Sequence, residues 1–188
     1  MHSQGEDSFT ALHFASFHGN LALIRLLVMH GADCFAENKN GVNMLHVCAQ
    51  GDQPVSLMYF MKKGLNINSK DIHGRTPLHH AAATGNELWI VYASAFGCDI
   101  NARDGDERTA LLSCTSRFSD HWNTECVKKL LLAGAEKEAV DKQGRTAIDY
   151  LYKSSEGQNY TYSQQQDAIK VLSDKWGILQ CLGIRGSY

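Results

Sequence analysis

The sequence predicts an all-α fold, a solenoid of about five helix–turn–helix repeats with short β-turn fingers. Two observations lead to this prediction: residues recur at a fixed period, and each period contains two short amphipathic runs. A period of roughly 20–50 residues is typical of repeat arrays. Two sets of residues keep a spacing of 33, namely Thr10, Asn43, Thr76 and Thr109, and Gly31, Gly64 and Gly97.

Each repeat is expected to hold two helices that cannot bury their apolar faces alone. In the first repeat, Leu12 and Ala15 are followed by Leu23, Ile24 and Leu27 at helical spacing. Stacking such units creates a continuous core, so each repeat is stabilised mainly by its neighbours. First helices are predicted near residues 11–18, 44–50, 77–84, 110–116 and 147–154. Second helices are predicted near 21–29, 54–62, 87–95, 124–133 and 164–174.

The repeats are expected to form a single domain over residues 1–188. The fifth copy begins at Gly144, which lies 37 residues after its predecessor, so the fourth repeat carries extra residues. The predicted boundaries are about 5–37, 38–70, 71–103, 104–140 and 141–175, with a tail over 176–188. The start "MHSQGEDSF" and the end "IRGSY" are abrupt, as in a truncated chain.

The composition excludes several classes of function. The formal net charge of the 188 residues is −2, which does not favour nucleic acid. No apolar run approaches the roughly 18 residues of a membrane-spanning helix, so we expect no direct membrane insertion. The six cysteines form no C-x-x-C pair, which argues against structural zinc, and we expect them to be reduced and mostly buried.

The repeat frame resembles the ankyrin repeat, whose signature is T-P-L-H-x-A at a period of 33. "TPLHHAA", beginning at Thr76, fits the signature fully, and "TALHFAS" and "TALLSCT" fit in part. The segments "GADCFAEN", "GLNINSKD", "GCDINARD" and "GAEKEAVD" match the turn that projects between repeats. The resemblance implies that the signature histidines, His13, His46 and His79, bond to turn backbone and join neighbouring repeats.

The stretch "GVNMLHVCAQGDQP" departs from this frame in three places. Asn43 stands where other repeats have threonine, Cys48 replaces alanine, and Gly51 comes one residue early. Asparagine is as good a helix N-cap as threonine, and cysteine suits a small buried position. We therefore interpret the stretch as a structural variant of the repeat.

No pattern of residues predicts catalysis in this chain. Nine histidines are present, but the signature histidines lie one repeat apart, too far to share a metal. No serine or cysteine nucleophile has a recognisable frame, and no glycine-rich phosphate loop occurs. We expect no catalytic site, no metal and no cofactor, so that the chain itself is not an enzyme.

A protein or peptide partner is expected on the concave face formed by turn tips and first helices. Arg75, Arg108 and Arg145 each precede a capping threonine and should form a ladder of guanidinium groups. Such a ladder suits acidic or phosphorylated residues, unless local aspartates pair with it. Phe14, Phe17 and His80 are expected to point to the open surface and to complete the site, unless the two phenylalanines pack against a further repeat upstream.

An alternative partner-binding site is expected at two long loops. The insertion "SRFSDHWN" contains Trp122, and the loop "SSEGQNYTYSQQQ" contains Tyr160 and Tyr162. Corresponding loops of adjacent repeats are neighbours, so these aromatic side chains are expected to meet. They either anchor a partner or pack only on each other.

A longer match resembles the ankyrin region of Asp-His-His-Cys palmitoyltransferases, particularly those of unicellular eukaryotes. Its signals are the runs "NGVNMLH" and "AQGDQP", and the segment "KWGILQCLGIRGSY" resembles the approach to a first membrane helix. The resemblance implies a monomeric, cytoplasmic module that recruits protein substrates for S-acylation, on the cytosolic face of the Golgi or other endomembranes. The catalytic segment would lie outside this chain. The alternative is a free-standing or differently fused ankyrin scaffold or regulator.

Overall fold

The computed structural model describes residues 8–116, 124–154 and 162–173. These residues form ten α-helices and no strand, arranged as five helix pairs. The first helices are α1 (Ala11–Phe17), α3 (Met44–Gln50), α5 (Pro77–Thr84), α7 (Ala110–Ser116) and α9 (Ala147–Ser154). The second helices are α2 (Leu21–Met29), α4 (Pro54–Lys62), α6 (Glu87–Ala95), α8 (Thr124–Leu132) and α10 (Tyr162–Ser173).

The first helices stack on one another in chain order, from α1 to α9. Their interface contains Leu12, Leu45, Leu78 and Leu111, which recur every 33 residues and are at most 1% exposed. The second helices supply a parallel row of buried residues: Ile24, Leu57, Ile90 and Val127. The fold is therefore the expected all-α solenoid, and the predicted helix bounds agree with the structure to within about two residues.

The signature histidines explain how each first helix begins and how it is joined to the next repeat. The Nδ1 atom of His79 accepts a hydrogen bond from the Thr76 backbone N–H at 3.1 Å. Its Nε2 atom therefore carries the proton and donates to the backbone oxygen of Arg108, 2.9 Å away in the next repeat. His13 bonds to Val42 and His46 to Arg75 in the same way, both at 3.1 Å. This confirms the role that the ankyrin resemblance implied.

The fingers between repeats are held by side chains and by each other. An aspartate or asparagine accepts two backbone N–H groups through Oδ1, as Asp71 does from His73 and Arg75 at 2.9 Å. Asn38, Asp104 and Asp141 do the same in their fingers. Successive fingers also share backbone hydrogen bonds, for example from Gly105 N–H to the oxygen of His73 at 2.7 Å.

The variant stretch of the second repeat keeps the fold by specific means. Gly51 has an ordinary negative φ of −90°, but a Cβ atom there would lie 1.9 Å from the backbone oxygen of Phe17. Asp52 takes the left-handed conformation, with a φ of 52°, that Gly19 and Gly85 take in the adjacent repeats. Its carboxylate accepts the Trp89 backbone N–H at 2.7 Å and so ties α6 to the second repeat.

The cysteines within the described ranges are free and buried: Cys34, Cys48, Cys98, Cys114 and Cys126. Burial raises the pKa of their thiols, that of Cys114 to about 12, as expected for inert core residues. Cys181 lies outside the described residues. Over the same ranges, no helix has the length and apolar character that a membrane span requires.

Candidate functional site

A groove runs along the concave face of the solenoid and encloses about 470 Å³. One edge consists of finger residues, and the floor consists of first-helix residues. We call the edge, Asn38, Val42, Arg75, Arg108 and Arg145, the finger edge. The floor includes Gln50, His80, Ala83, Thr84, Ser113, Ser116 and Tyr150. The volume is within the usual range for ligand sites.

Each arginine of the finger edge is paired with the aspartate four residues before it. Arg75 donates from Nε and Nη2 to Asp71 Oδ2, both at 2.8 Å. Arg145 makes the same two contacts with Asp141 at 2.8 and 2.7 Å. Arg108 pairs with Asp104 in the same way and also contacts Asp106 at 3.0 Å. The ladder is therefore present, but its charges are matched by local aspartates.

Pairing leaves a defined set of donors open to the groove. The arginine side chains are 29–35% exposed, whereas the paired oxygens belong to aspartates whose side chains are at most 1% exposed. Nε and Nη2 face the aspartates, and Nη1 of each guanidinium has no hydrogen-bond partner among the described residues. The finger edge therefore offers three unused Nη1 amino groups in a region without excess positive charge.

The aspartates remain ionised because of these contacts. Burial alone would raise the pKa of Asp71, but hydrogen bonds from His80 and Arg75 outweigh it and hold the pKa below its usual range. At Asp141, hydrogen bonds from Arg145 and Tyr150 likewise outweigh burial and lower the pKa. Both carboxylates are thus negative at neutral pH and offset the charges of Arg75 and Arg145. This is the local pairing that stood as the alternative to an acidic partner, and the preference for acidic or phosphorylated residues stays a prediction.

His80 differs from the expectation that it points to the open surface. It is only 7% exposed, because its two ring nitrogens are engaged within the groove floor. Gln50 Nε2 donates to Nδ1 at 2.8 Å, and Nε2 of His80 donates to Asp71 Oδ2 at 3.0 Å. The ring also packs edge-on against His46, with centroids 5.1 Å apart. His80 is therefore held in place by these contacts and forms part of the groove floor.

Phe14 and Phe17 lie on α1, at the first-repeat end of the solenoid. Phe14 is 59% exposed and Phe17 is 41% exposed. Phe9, which does line the groove, lies 6.1 Å from Phe14 between ring centroids. The structure therefore brings together the three arginines and His80, and leaves the two phenylalanines beyond the groove lining.

The alternative loop site lies outside the described residues. This applies to Trp122, Tyr160 and the side chain of Tyr162, although Tyr162 is the first residue of α10. Their role in binding stays a prediction.

Local aspartates were expected as the alternative partners of the arginines, but the individual residues that set the charge of the groove were not identified from the sequence. The segments "DIHGR", "DGDER" and "DKQGR" place an aspartate four residues before each arginine, and this spacing was the available signal. Tyr150 was also missed, because the longer fourth repeat shifts it to 37 residues after Ser113. Its hydroxyl donates to Asp141 at 2.6 Å. The second finger lacks the ion pair altogether, since Asn38 and Val42 replace the aspartate and the arginine.

Comparison with known proteins identifies the repeat. A family model described as ankyrin repeats (3 copies) matches residues 12–104. This chain contains ankyrin repeats. The ankyrin solenoid is a protein–protein interaction module, and its repeat architecture is non-catalytic. Within the described ranges, no group of three His, Cys, Asp or Glu side chains has the arrangement of a metal site.

Several curated proteins are similar in sequence to parts of this chain. The Notch-regulated ankyrin repeat-containing protein of Xenopus tropicalis is 38% identical over 63 residues, covering 34% of this chain and 55% of that protein. Potassium channel AKT1 of Arabidopsis thaliana is 30% identical over 79 residues, covering 40% of this chain and 9% of the channel. L-asparaginase of Dirofilaria immitis is 26% identical over 167 residues, covering 89% of this chain and 28% of that protein. The chain thus spans just over half of the first of these relatives and less of the other two.

Proposed function

We propose that this chain binds an extended segment of a partner protein in its concave groove. The observation that carries the proposal is the row of three arginines whose Nη1 donors are unused although their charges are paired. Donors of this kind suit uncharged acceptors, above all main-chain carbonyl groups. An extended segment has no internal hydrogen bonds, so its carbonyls are free to accept.

The spacing of the repeats fits such a segment. Neighbouring packed helices lie about 8–10 Å apart. In the polyproline II conformation three residues span about 9 Å and complete one turn, so every third carbonyl faces the same side. Arg75, Arg108 and Arg145 come from successive repeats, so they would contact three carbonyls that lie three residues apart in the segment. A segment of about ten residues would span the three intervals from the second finger to the fifth.

Peptide selection tests this proposal. A random library of peptides about twelve residues long, displayed on phage, is selected on the wild-type chain, and the most enriched peptide is measured by calorimetry. Replacing Arg75 and Arg108 with lysine keeps positive charge beside Asp71 and Asp104 but removes the planar fork and its Nη1 donors. Binding should weaken about tenfold or more, because a hydrogen bond from a charged donor contributes about 1.5–3 kcal/mol.

Salt and the loop variant separate the alternatives. Raising NaCl from about 0.1 to 1 M shortens the Debye length from about 10 to 3 Å, and we expect affinity to change little. A steep loss of affinity with salt would instead indicate an acidic partner. If Trp122→Ala abolishes binding and the double lysine variant does not, the loops rather than the groove form the site.

We further propose, on the resemblance of "NGVNMLH" and "AQGDQP" alone, that the partner segments belong to substrates of a palmitoyltransferase. This chain would be its monomeric recruiting domain, on the cytosolic face of the Golgi or other endomembranes. The coding sequence beyond Tyr188 tests the assignment. Membrane spans around an Asp-His-His-Cys segment would support it, whereas a stop codon or an unrelated domain would identify a free-standing or differently fused scaffold.

A further inference from the structure

One position of the repeat decides how the groove floor is filled. The residue nine after the finger Asp or Asn is Val47, His80, Ser113 and Tyr150 in repeats two to five. In the third repeat, His80 reaches back to Asp71 at 3.0 Å. In the fifth, Tyr150 reaches Asp141 at 2.6 Å. A ring side chain therefore covers the finger aspartate in both of these repeats.

The fourth repeat lacks this ring. Ser113 is too short to cover Asp104, and its Oγ atom has no hydrogen-bond partner among the described residues, although the residue is only 7% exposed. Its neighbours on the floor, Ala83, Thr84 and Ser116, are also small. Because α5, α7 and α9 stack in order, Ser113 on α7 lies between the His80 ring on α5 and the Tyr150 ring on α9.

We propose that this gap is a pocket for one uncharged polar side chain of the partner segment, with Ser113 as the residue that determines specificity. The inference rests on the proposed function and names a subsite within the same groove. Ser113 Oγ can donate or accept at its floor, and Arg108 offers its unused Nη1 at its rim. An amide side chain satisfies both groups, since its oxygen accepts from Arg108 and its nitrogen donates to Ser113.

Charge excludes the ionised alternatives. A carboxylate or phosphate entering here would face Asp104, Asp106 and Asp141, whose three negative charges outnumber the two positive charges of Arg108 and Arg145. A lysine would face the guanidinium groups at the rim. Desolvating an ion without a matching partner is costly, whereas an amide needs only the hydrogen bonds that the pocket offers.

Neighbouring repeats supply the test variants. Ser113→His and Ser113→Tyr introduce the residues that the third and fifth repeats carry at the same position. The new ring should reach Asp104 as His80 reaches Asp71, so the melting temperature should be kept or raised. The most enriched library peptide should bind these variants at least about tenfold more weakly, because the pocket is filled.

A second variant fills the pocket from the other side. Ala83→Gln matches Gln50, its equivalent in the second repeat, and should also weaken binding with folding intact. Val91→Tyr is the control, since it adds a ring on the exposed side of α6, away from the groove, and should leave affinity unchanged. Ser113→Ala keeps the room but removes the hydroxyl, and should cost only a few-fold in affinity.

The outcomes distinguish this pocket from the groove as a whole. Peptides enriched on the wild type should share Asn or Gln at one fixed position, and selection on Ser113→Tyr should lose that position. If the peptide is weakened by the double lysine variant yet binds Ser113→Tyr and Ala83→Gln normally, the pocket is wrong and the groove stands. Enrichment of Asp, Glu or Lys at that position would also overturn the pocket assignment. Failure of the wild type to enrich any peptide would overturn both.

Discussion

Asn43 shows how a single replacement can preserve a repeat by a different set of bonds. Its Oδ1 atom accepts the Leu45 N–H at 3.0 Å, as a capping residue should. The same atom lies 2.9 Å from Nδ1 of His46, which already accepts a hydrogen bond from the Asn43 backbone. Thr10 and Thr76 have a hydroxyl donor at this place. Asn43 gains in exchange a bond from Nδ2 to Ser69 Oγ at 2.8 Å.

Asn43→Thr should therefore change the free energy of unfolding by only a fraction of a kcal/mol, because a new O–H bond to His46 offsets the lost bond to Ser69. Asn43→Ala should cost about 0.5–2 kcal/mol. Urea unfolding measures both. Asn43 does not line the groove, so neither variant should alter peptide affinity while folded. Lost binding with intact folding would instead identify the variant stretch as a site.

At the residue scale, the sequence was sufficient to predict a residue's role where every repeat has the same local requirement. The caps and the signature histidines were predicted because each repeat demands the same bond in the same register. The burial of His80 was not predicted, because it depends on Gln50 and Asp71, which belong to different segments. The unpaired donor of Asn38 was not predicted for the same reason: Nδ2 has no partner among the described residues, and the neighbouring Val42 and Val47 offer no acceptor in their side chains.

At the scale of elements, the histidines make the junctions between first helices sensitive to acid. Burial, followed by the charge of His80, lowers the pKa of His46 from 6.5 to about 4. Burial also lowers the pKa of His13 and His79. Each donates through Nε2 while Nδ1 accepts, so a second proton would break the cap. The helix pattern was predictable from periodicity, but this titration follows only from packing.

Stability should therefore be lost as the pH falls from about 6.5 to 4. Above pH 6.5 the histidine rings are neutral in both the folded and the unfolded chain, so their titration does not change the stability. Below it the unfolded chain binds protons that the folded His46 does not, which favours unfolding by roughly 3 kcal/mol near pH 4. Urea unfolding at intervals across this range measures the loss. The His46→Gln variant should be less stable than the wild type, but its free energy of unfolding should change less with pH. Leu45→Ala should lower the free energy of unfolding by about 2–5 kcal/mol and leave its pH dependence unchanged. If the free energy of unfolding falls with pH equally steeply in the wild type and in His46→Gln, His46 is not the source of the acid sensitivity.

At the scale of the whole molecule, stability should be graded along the solenoid. Among the described helices, a first helix in the middle, such as α5, packs mainly against α3, α6 and α7, whereas α1 packs mainly against α2 and α3. Because every repeat depends on its neighbours, an end repeat can open without disturbing the others, and a central one cannot. The sequence predicted the array but not this gradient, which depends on which faces are covered.

Amide hydrogen exchange tests this gradient. In the wild type, protection should be highest in α5 and lower in α1, as measured by mass spectrometry of proteolytic fragments. Leu12→Ala and Leu78→Ala remove the same side chain from equivalent positions, both at most 1% exposed. Leu12→Ala should accelerate exchange in α1 and α2 and leave α7 nearly unchanged. Leu78→Ala should accelerate exchange on both sides, in α3 as well as α7, because it weakens two interfaces. Uniform acceleration by both variants would mean that the solenoid opens only as one unit, and that coupling between repeats exceeds what their local packing implies.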